Sequence, residues 1–281
     1  RAPRGMGVRR LVRGCVAWGR SEGSARAVLD RTDREVGHVR FIEADNWLST
    51  PFVVDGEFFV KVISRRNSVV HAVLTTGRNL GAVTAGTEGF FEHVASPYEM
   101  ARRELEATRR MRAAGVDAPE PLDVFEVDGL GVLVSEYLDG FEPLDAVGPD
   151  RAERLAPGLF TELARVHDAG LAHGDLRAEN VLVVDDDLYF IDATSLQEPS
   201  ETTHADALTA TRQYDLACAL AALEPLVGAG VAVDAALVSY PATDLLGARE
   251  YLGFVDVRPD HDFDGPALRG EIDHRADGEA G

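Results

Sequence analysis

The residues best suited to chemistry lie in one short stretch of the chain. His173, Gly174 and Asp175 are followed by Asn180, and Asp192 comes twelve residues after Asn180. A carboxylate such as Asp175 can accept a proton from a hydroxyl nucleophile. An amide and a second carboxylate, here Asn180 and Asp192, can hold Mg2+ on the phosphates of a nucleotide. The set therefore indicates magnesium-assisted chemistry on a phosphate group.

The surrounding sequence predicts a polar loop followed by a β-hairpin. The apolar runs 181–184 and 188–191 are typical of strands, and three consecutive aspartates between them predict a tight turn. Such a hairpin can direct Asp175, Asn180 and Asp192 toward one small volume. The alternative is a chance polar turn before a buried hairpin, in which Asp192 only caps a helix.

The pattern His-Gly-Asp-Leu-x-x-x-Asn, with a following strand that ends in Asp192, resembles the catalytic and metal-binding loops of the protein-kinase-like superfamily. The resemblance implies an α+β, two-lobed fold with a small antiparallel-sheet N-lobe and a mostly helical C-lobe. It implies ATP and Mg2+ as cofactors. Asp175 is then the base or the residue that orients the nucleophile, and Asn180 and Asp192 are the metal ligands. His173 is expected to brace the loop.

Lysine is almost absent from this chain. Of the 28 basic residues, 27 are arginine, and the single lysine is Lys61, inside the apolar run 57–63 that follows the hairpin signal Asp55-Gly56. By resemblance, Lys61 binds the α- and β-phosphates, and Glu104 on the next helix pairs with it. The alternatives are an accident of composition at position 61 and a solvated Glu104 on a helix surface.

Further binding residues follow from the order of parts that the resemblance implies. The loop 43–51 is expected to cover the nucleotide, with Ser49 as a binding residue, although it lacks the glycines of the usual phosphate-covering loop. Residues 134–140 resemble the interlobe hinge, so that backbone groups of Glu136 and Leu138 would bind adenine. Arg177, two residues after Asp175, is expected to offset charge on the transferring phosphoryl group.

Three helices should support these loops. Ser96 predicts the start of a helix that ends at Gly115. The apolar positions 155, 159, 163 and 166 predict a buried helix face, and Pro157 should kink or split that helix. By resemblance, Asp215 opens a buried helix and hydrogen-bonds the catalytic loop backbone.

Charge and composition predict the organisation of the whole chain. We expect a basic N-terminal extension (1–40), an N-lobe (41–138) with an insertion near 64–96, a C-lobe (139–255) and a frayed acidic tail (256–281). The net charge of -20 would repel nucleic acid and anionic lipid, and it favours a salt-loving source. Residues 1–40 hold ten arginines against four acidic residues, a balance of +6. They would dock on the acidic body or contact RNA or a ribosome.

A cytoplasmic location is predicted. No apolar run reaches the roughly 18 residues of a membrane span, and no secretory signal is recognised. The two cysteines, Cys15 and Cys218, do not form a disulfide or metal-ligand pattern.

Within the superfamily, the chain most resembles the RIO-type atypical serine/threonine kinases and their small archaeal relatives. Only 22 residues separate Asp192 from Asp215, and no Ala-Pro-Glu lies between them. The resemblance predicts an ATP-dependent protein kinase or ATPase whose phosphate acceptor, a protein or a small molecule, is not identified. Two alternatives stay open: a small-molecule phosphotransferase of the aminoglycoside or choline kinase kind, and a nucleotide-binding regulator with weak catalysis.

Overall fold

The computed structural model describes most of the chain, namely residues 23, 27–28, 31, 38–42, 50–64, 96–193, 205–256 and 262–279. The chain divides into two compact units. The first comprises residues 1–106 and 120–139, and the second comprises residues 107–119 and 140–281. Most of the predicted basic extension (1–40), Ser49 and nearly all of the predicted insertion at 64–96 lie outside the described residues.

The first unit is built on an antiparallel sheet of five strands in the order β1-β2-β3-β5-β4. Asp55 and Gly56 form the β2–β3 turn with φ angles of 55° and 72°, as predicted from the Asp-Gly pair. The strands are β1 (Val39–Phe41), β2 (Thr50–Val54), β3 (Phe58–Ile63), β4 (Pro121–Val127) and β5 (Leu130–Glu136).

Each face of this sheet packs against a different set of side chains. Val60 and Val62 of β3 belong to one apolar cluster, whereas Ile63 belongs to a second cluster with Ala101 and Leu105 of helix α1 (Pro97–Ala113). Since successive strand residues point to opposite faces, Lys61 shares the face that α1 covers. The alternation of β3 thus brings the lysine to the helix.

Helix α1 begins where the sequence predicts. The Glu99 backbone N–H donates to Ser96 Oγ at 3.1 Å, which is the N-terminal cap expected at this position. The helix lies unusually close to β5. A Cβ atom built on Gly131 would stand 2.0 Å from the carbonyl oxygen of Pro97.

The second unit contains a three-stranded antiparallel sheet, ordered β6-β7-β8. Its strands are β6 (Glu142–Pro143), β7 (Val181–Val184) and β8 (Asp187–Phe190). The hairpin predicted after Asn180 is therefore formed. Asp185 and Asp186 make its two-residue turn with φ angles of 50° and 74°, which are values that aspartate tolerates better than most residues.

Helices form most of the second unit. They are α2 (Pro149–Asp168), α3 (Ala205–Val227), α4 (Ala229–Leu237), α5 (Ala242–Arg249), α6 (Leu252–Asp256) and α7 (Gly265–Glu279). The apolar stripe predicted on α2 is buried at all four positions: Leu155, Leu159, Leu163 and Val166. The predicted α+β class, with an antiparallel sheet followed by a mainly helical part, is confirmed.

Three expectations are corrected. Of the kink or split expected at Pro157, the split does not occur, because α2 runs unbroken from Pro149 to Asp168. Because Glu153, four residues before Pro157, is exposed, water can bond the carbonyl that the proline leaves without an amide partner. Asp215 lies in the middle of α3 and does not open it.

The third correction concerns the acidic tail, which was expected to be frayed. Residues 265–279 instead form α7, and its Leu268 and Ile272 are buried in the core of the second unit. Their contribution of apolar surface outweighs the repulsion between the acidic side chains of the tail. Among the described helices, none has the length and apolar content needed to cross a membrane.

Candidate functional site

Lys61 and Glu104 form a buried ion pair in the first unit. Lys61 Nζ lies 2.8 Å and 3.0 Å from the two carboxylate oxygens of Glu104. Their side chains are only 5% and 8% exposed. Glu106 instead pairs with Arg102 near the surface at 2.6 Å. The structure therefore brings Lys61 together with Glu104, the glutamate that the sequence favoured.

Asp215 anchors the loop that contains Asp175. Its Oδ2 accepts a hydrogen bond from the His173 backbone N–H at 2.6 Å, and its Oδ1 accepts one from the Gly174 N–H at 2.7 Å. Asp215 is fully buried, so these charge-assisted bonds form away from water. The predicted hydrogen bonding between Asp215 and the loop backbone is confirmed.

His173 braces the same loop as a neutral side chain. Its Nε2 donates to the carbonyl oxygen of Ile191 at 3.0 Å, and its Nδ1 accepts the Asp175 backbone N–H at 3.4 Å. Burial lowers the pKa of His173, and it outweighs the opposing effect of the Asp215 and Asp175 charges. The imidazole thus ties the loop to the end of β8.

Asn180 and Asp192 lie at the two ends of the hairpin, just before β7 and just after β8. Asn180 ends a 3-10 turn (Ala178–Asn180), and its Nδ2 donates to the Asp175 carbonyl at 2.8 Å. Its amide oxygen is therefore the atom suited to a cation. The Ile191 backbone N–H donates to the Asn180 carbonyl oxygen at 3.0 Å. Asp192 is the residue directly after Ile191.

The donor chemistry of these two residues fits Mg2+. An amide oxygen from Asn180 and a carboxylate from Asp192 are hard oxygen ligands, and Mg2+ commonly takes only one or two protein ligands beside phosphate oxygens and water. Asp192 has a φ of 60°, in the same left-handed region that aspartate tolerates better than most residues. Within the described ranges, no group of three or more His, Cys, Asp or Glu residues could hold a metal ion.

Arg177 places a positive charge beside Asp175. Its Nε lies 3.4 Å from Asp175 Oδ2, and its guanidinium also pairs with Glu179. The side chains of Asp175 and Arg177 are 19% and 18% exposed, so both are shielded without being cut off from solvent. This arrangement keeps the arginine within reach of any group that bonds Asp175.

The segment compared with a hinge follows β5. The Glu136 N–H donates to the Glu120 carbonyl at 2.9 Å, and Glu136 Oε2 accepts the Glu120 N–H at 3.1 Å. An adenine contact at Glu136 would therefore use its carbonyl oxygen. Leu138, the second residue predicted to bind adenine, is half-buried.

Two residues near the loop that contains Asp175 were not singled out from the sequence. His167 Nε2 lies 3.4 Å from Asp215 Oδ2, and the Tyr240 hydroxyl lies 2.8 Å from His167 Nδ1. His167 ends the predicted apolar stripe of α2, where a histidine has no distinguishing signal. Tyr240 is 73 residues further along the chain, beyond the reach of any local pattern.

Comparisons with known proteins agree with the loop motif. Residues 92–212 match the model of the RIO domain family. Over 110 residues, 38% of this chain, the sequence is 31% identical to a KEOPS complex subunit Bud32 from Pyrococcus abyssi, covering 48% of that protein. Over 91 residues, 32% of this chain, it is 36% identical to a probable bifunctional tRNA threonylcarbamoyladenosine biosynthesis protein from Methanothermobacter thermautotrophicus, covering 16% of it. The chain thus spans less than half the length of each of these relatives.

Among solved structures, the kinase domain of Mycobacterium tuberculosis PknI superposes with a TM-score of 0.44 and 14% sequence identity. The superposition covers 85% of this chain and 95% of that domain.

Proposed function

We propose that this chain, of which residues 92–212 match the RIO domain family, uses ATP and Mg2+ to transfer or hydrolyse a γ-phosphate. The buried Lys61–Glu104 pair is the observation that supports this most strongly. A buried ion pair seldom stabilises a core better than well-packed apolar residues would. Phosphate binding gives a reason for the single lysine of the chain to lie there.

Each predicted site residue has a role in this reaction. A hydroxyl oxygen of the acceptor, or of water, bonds to the γ-phosphorus while the bond to the β–γ bridging oxygen breaks, and ADP leaves with that electron pair. Asp175 orients the nucleophile and takes its proton. Mg2+, when bound by Asn180 and Asp192, would neutralise charge on the phosphate oxygens. Arg177 would add positive charge beside the transferring group.

The remaining residues would bind the nucleotide. Lys61, held by Glu104, would contact the α- and β-phosphates, since a fixed ammonium group offers donors to phosphate oxygens. The Glu136 carbonyl and the Leu138 N–H would bond adenine. Ser49, outside the described residues, stays a prediction for the phosphate-covering loop.

The names of the relatives favour a setting for this activity. One is a subunit of a complex, and another is assigned to tRNA threonylcarbamoyladenosine biosynthesis. We therefore propose a cytoplasmic protein that works with protein partners in tRNA modification, where ATP is either hydrolysed or used to phosphorylate a protein. RNA contact through the basic residues 1–40 belongs to the same proposal.

The test is Mg2+-dependent release of phosphate and self-labelling from ATP radiolabelled at the γ-position, measured in high salt. Asp175→Ala and Asp192→Ala should each lower the rate by at least about a hundredfold, since each removes a group that acts on the reacting phosphate. Asp187→Ala removes an exposed carboxylate from the start of β8 and should keep the parent rate. Labelled protein would favour a kinase, and free phosphate alone an ATPase. A parent protein that binds ATP without turnover would contradict the catalytic proposal and favour a regulator.

A further inference from the structure

We propose that Tyr240 is a positioning residue for the catalytic loop, acting through His167 and Asp215 on the backbone amides of His173 and Gly174. Its effect on turnover rests on the function proposed above. The hydrogen bonds themselves do not depend on that function, because they can be measured without substrate.

The hydrogen bonds that link Tyr240 to the loop run in one direction. Asp215, a carboxylate, only accepts, so His167 Nε2 must carry the proton across the 3.4 Å between them. A neutral imidazole with a proton on Nε2 has its lone pair on Nδ1, which accepts the Tyr240 hydroxyl at 2.8 Å. Asp215 also accepts the two loop amides at 2.6 Å and 2.7 Å. Asp215 thus fixes the histidine tautomer, and the tyrosine hydroxyl holds the ring so that its Nε2–H stays directed at the anchor of the loop.

The three side chains in this hydrogen-bond network are shielded from water. The relative exposures of Tyr240, His167 and Asp215 are 9%, 4% and 0%. Burial raises the pKa of Tyr240, and the charge of Asp215 acts in the same direction. The hydroxyl thus keeps its proton at neutral pH and can donate to Nδ1. A hydrogen bond lost here cannot easily be replaced by water.

The backbone around Tyr240 holds it in place between α4 and α5. Its N–H donates to the Ala236 carbonyl at 3.0 Å, and Ser239 Oγ lies 3.1 Å from Thr161 Oγ1 on α2. The tyrosine and histidine rings also meet edge to face, with centroids 5.7 Å apart. The carbonyl of His167 is held by Arg212 of α3. Three helices thus fix the geometry of the hydroxyl.

Removing the hydroxyl would leave Nδ1 of His167 without this hydrogen bond, so the ring would be free to turn. The bond from Nε2–H to Asp215, already 3.4 Å long, would then lengthen or break. The carboxylate would shift or lose one of its donors, and the His173 and Gly174 amides would be held less firmly. Because Asp175 follows Gly174 directly, its orientation would suffer more than the binding of ATP.

Tyr240→Phe tests this directly, and Tyr251→Phe is the matched control. Tyr251 loses the same hydroxyl in the same unit, where its ring packs against Tyr214. In Tyr240→Phe, the hydrogen-exchange protection of the His173 and Gly174 amides should fall about fivefold, the effect of one net hydrogen bond. The 15N signal of His167 Nδ1 should report the loss of its hydrogen bond. For turnover, kcat should fall by a similar factor while the KM for ATP stays unchanged.

A variant at His167 distinguishes an effect of the hydrogen bonds from an effect of side-chain packing. In His167→Gln the side-chain amide can still donate to Asp215, but no imidazole ring remains for Tyr240 to hold. Adding Tyr240→Phe to His167→Gln should therefore change neither amide protection nor kcat.

Unchanged amide protection in Tyr240→Phe, or an undiminished effect in the His167→Gln background, would overturn the inference. A parent protein without turnover would refute the proposed function alone. The exchange and 15N measurements would still test the hydrogen bonds from Tyr240 to the loop.

Discussion

The polar residues buried in the described part of this protein all belong to the candidate site or support it. Each bonds a partner of matching chemistry, as a buried polar group must if the fold is to be stable. They are Lys61, Glu104, His167, His173, Asn180 and Asp215. The cost of burying polar groups is therefore concentrated where the chemistry is proposed.

The sequence predicted the local members of this set and missed the remote ones. Lys61 stood out because it is the only lysine, and Asn180 because it follows Asp175 at a fixed offset. His167 and Tyr240 meet only after the helices pack, and each is an ordinary residue in its own segment. A contact over 73 residues leaves no periodic signal.

The buried ion pair yields a prediction about stability. Lys61→Met should lower the free energy of unfolding by about 3–5 kcal/mol, because it leaves the Glu104 carboxylate buried without a cation. Lys61→Met combined with Glu104→Leu should recover most of that loss, yet it should not bind ATP. Urea unfolding and calorimetric ATP titration measure the two effects.

The surface pair of Arg102 and Glu106 provides the control. Arg102→Ala should cost no more than about 1 kcal/mol, since its side chain is partly solvated. Equal stability of Lys61→Met and the double variant would show that the pair does not behave as a buried charge pair.

At the scale of elements, local turn and cap signals were the most reliable. The β2–β3 turn and the cap at Ser96 follow from residue types that favour a specific backbone geometry, and both formed as predicted. The unbroken helix at Pro157 and the ordered tail did not follow from local signals. Both depend on the surroundings of a helix, namely access of water to one carbonyl and apolar contacts made by Leu268 and Ile272.

The close packing of β5 on α1 predicts a sensitive glycine. Gly131→Ala would put a methyl group 2.0 Å from the Pro97 carbonyl oxygen, so the helix or the strand must move. We expect a loss of about 1–3 kcal/mol in unfolding free energy. Because α1 carries Glu104, ATP binding should weaken as well.

Gly270→Ala is the matched substitution. Gly270 is exposed within α7 and has no heavy atom within 4 Å of the added carbon, so the change should be neutral or slightly stabilising. Equal urea midpoints for the two variants would disprove the steric argument at Gly131.

At the scale of the whole molecule, fold class and family resemblance were accessible from the sequence. The α+β class is confirmed by the order of the elements. The predicted likeness to RIO-type kinases is confirmed by the family match over residues 92–212. The order of motifs is enough for this, because that order is preserved in the sequence whatever the details of packing. The domain boundaries and the site roles remain predictions.

Net charge gives a prediction at the same scale. With a balance of -20, the folded chain repels itself, and salt should relieve that repulsion. The Tm should rise between about 0.05 M and 1 M NaCl, as the screening length falls to roughly 3 Å. A Tm that stays constant over this range would contradict both the repulsion and the predicted salt-loving source.

The burial of Lys61 also makes it a natural chemical reporter. Among the side chains of this protein it is the sole primary amine, and only 5% of it is exposed. An amine-selective acylating reagent can attack the nitrogen only when the bond to Glu104 opens. The rate of acylation would therefore record how often one interior ion pair breaks, in the natural chain and without an attached label.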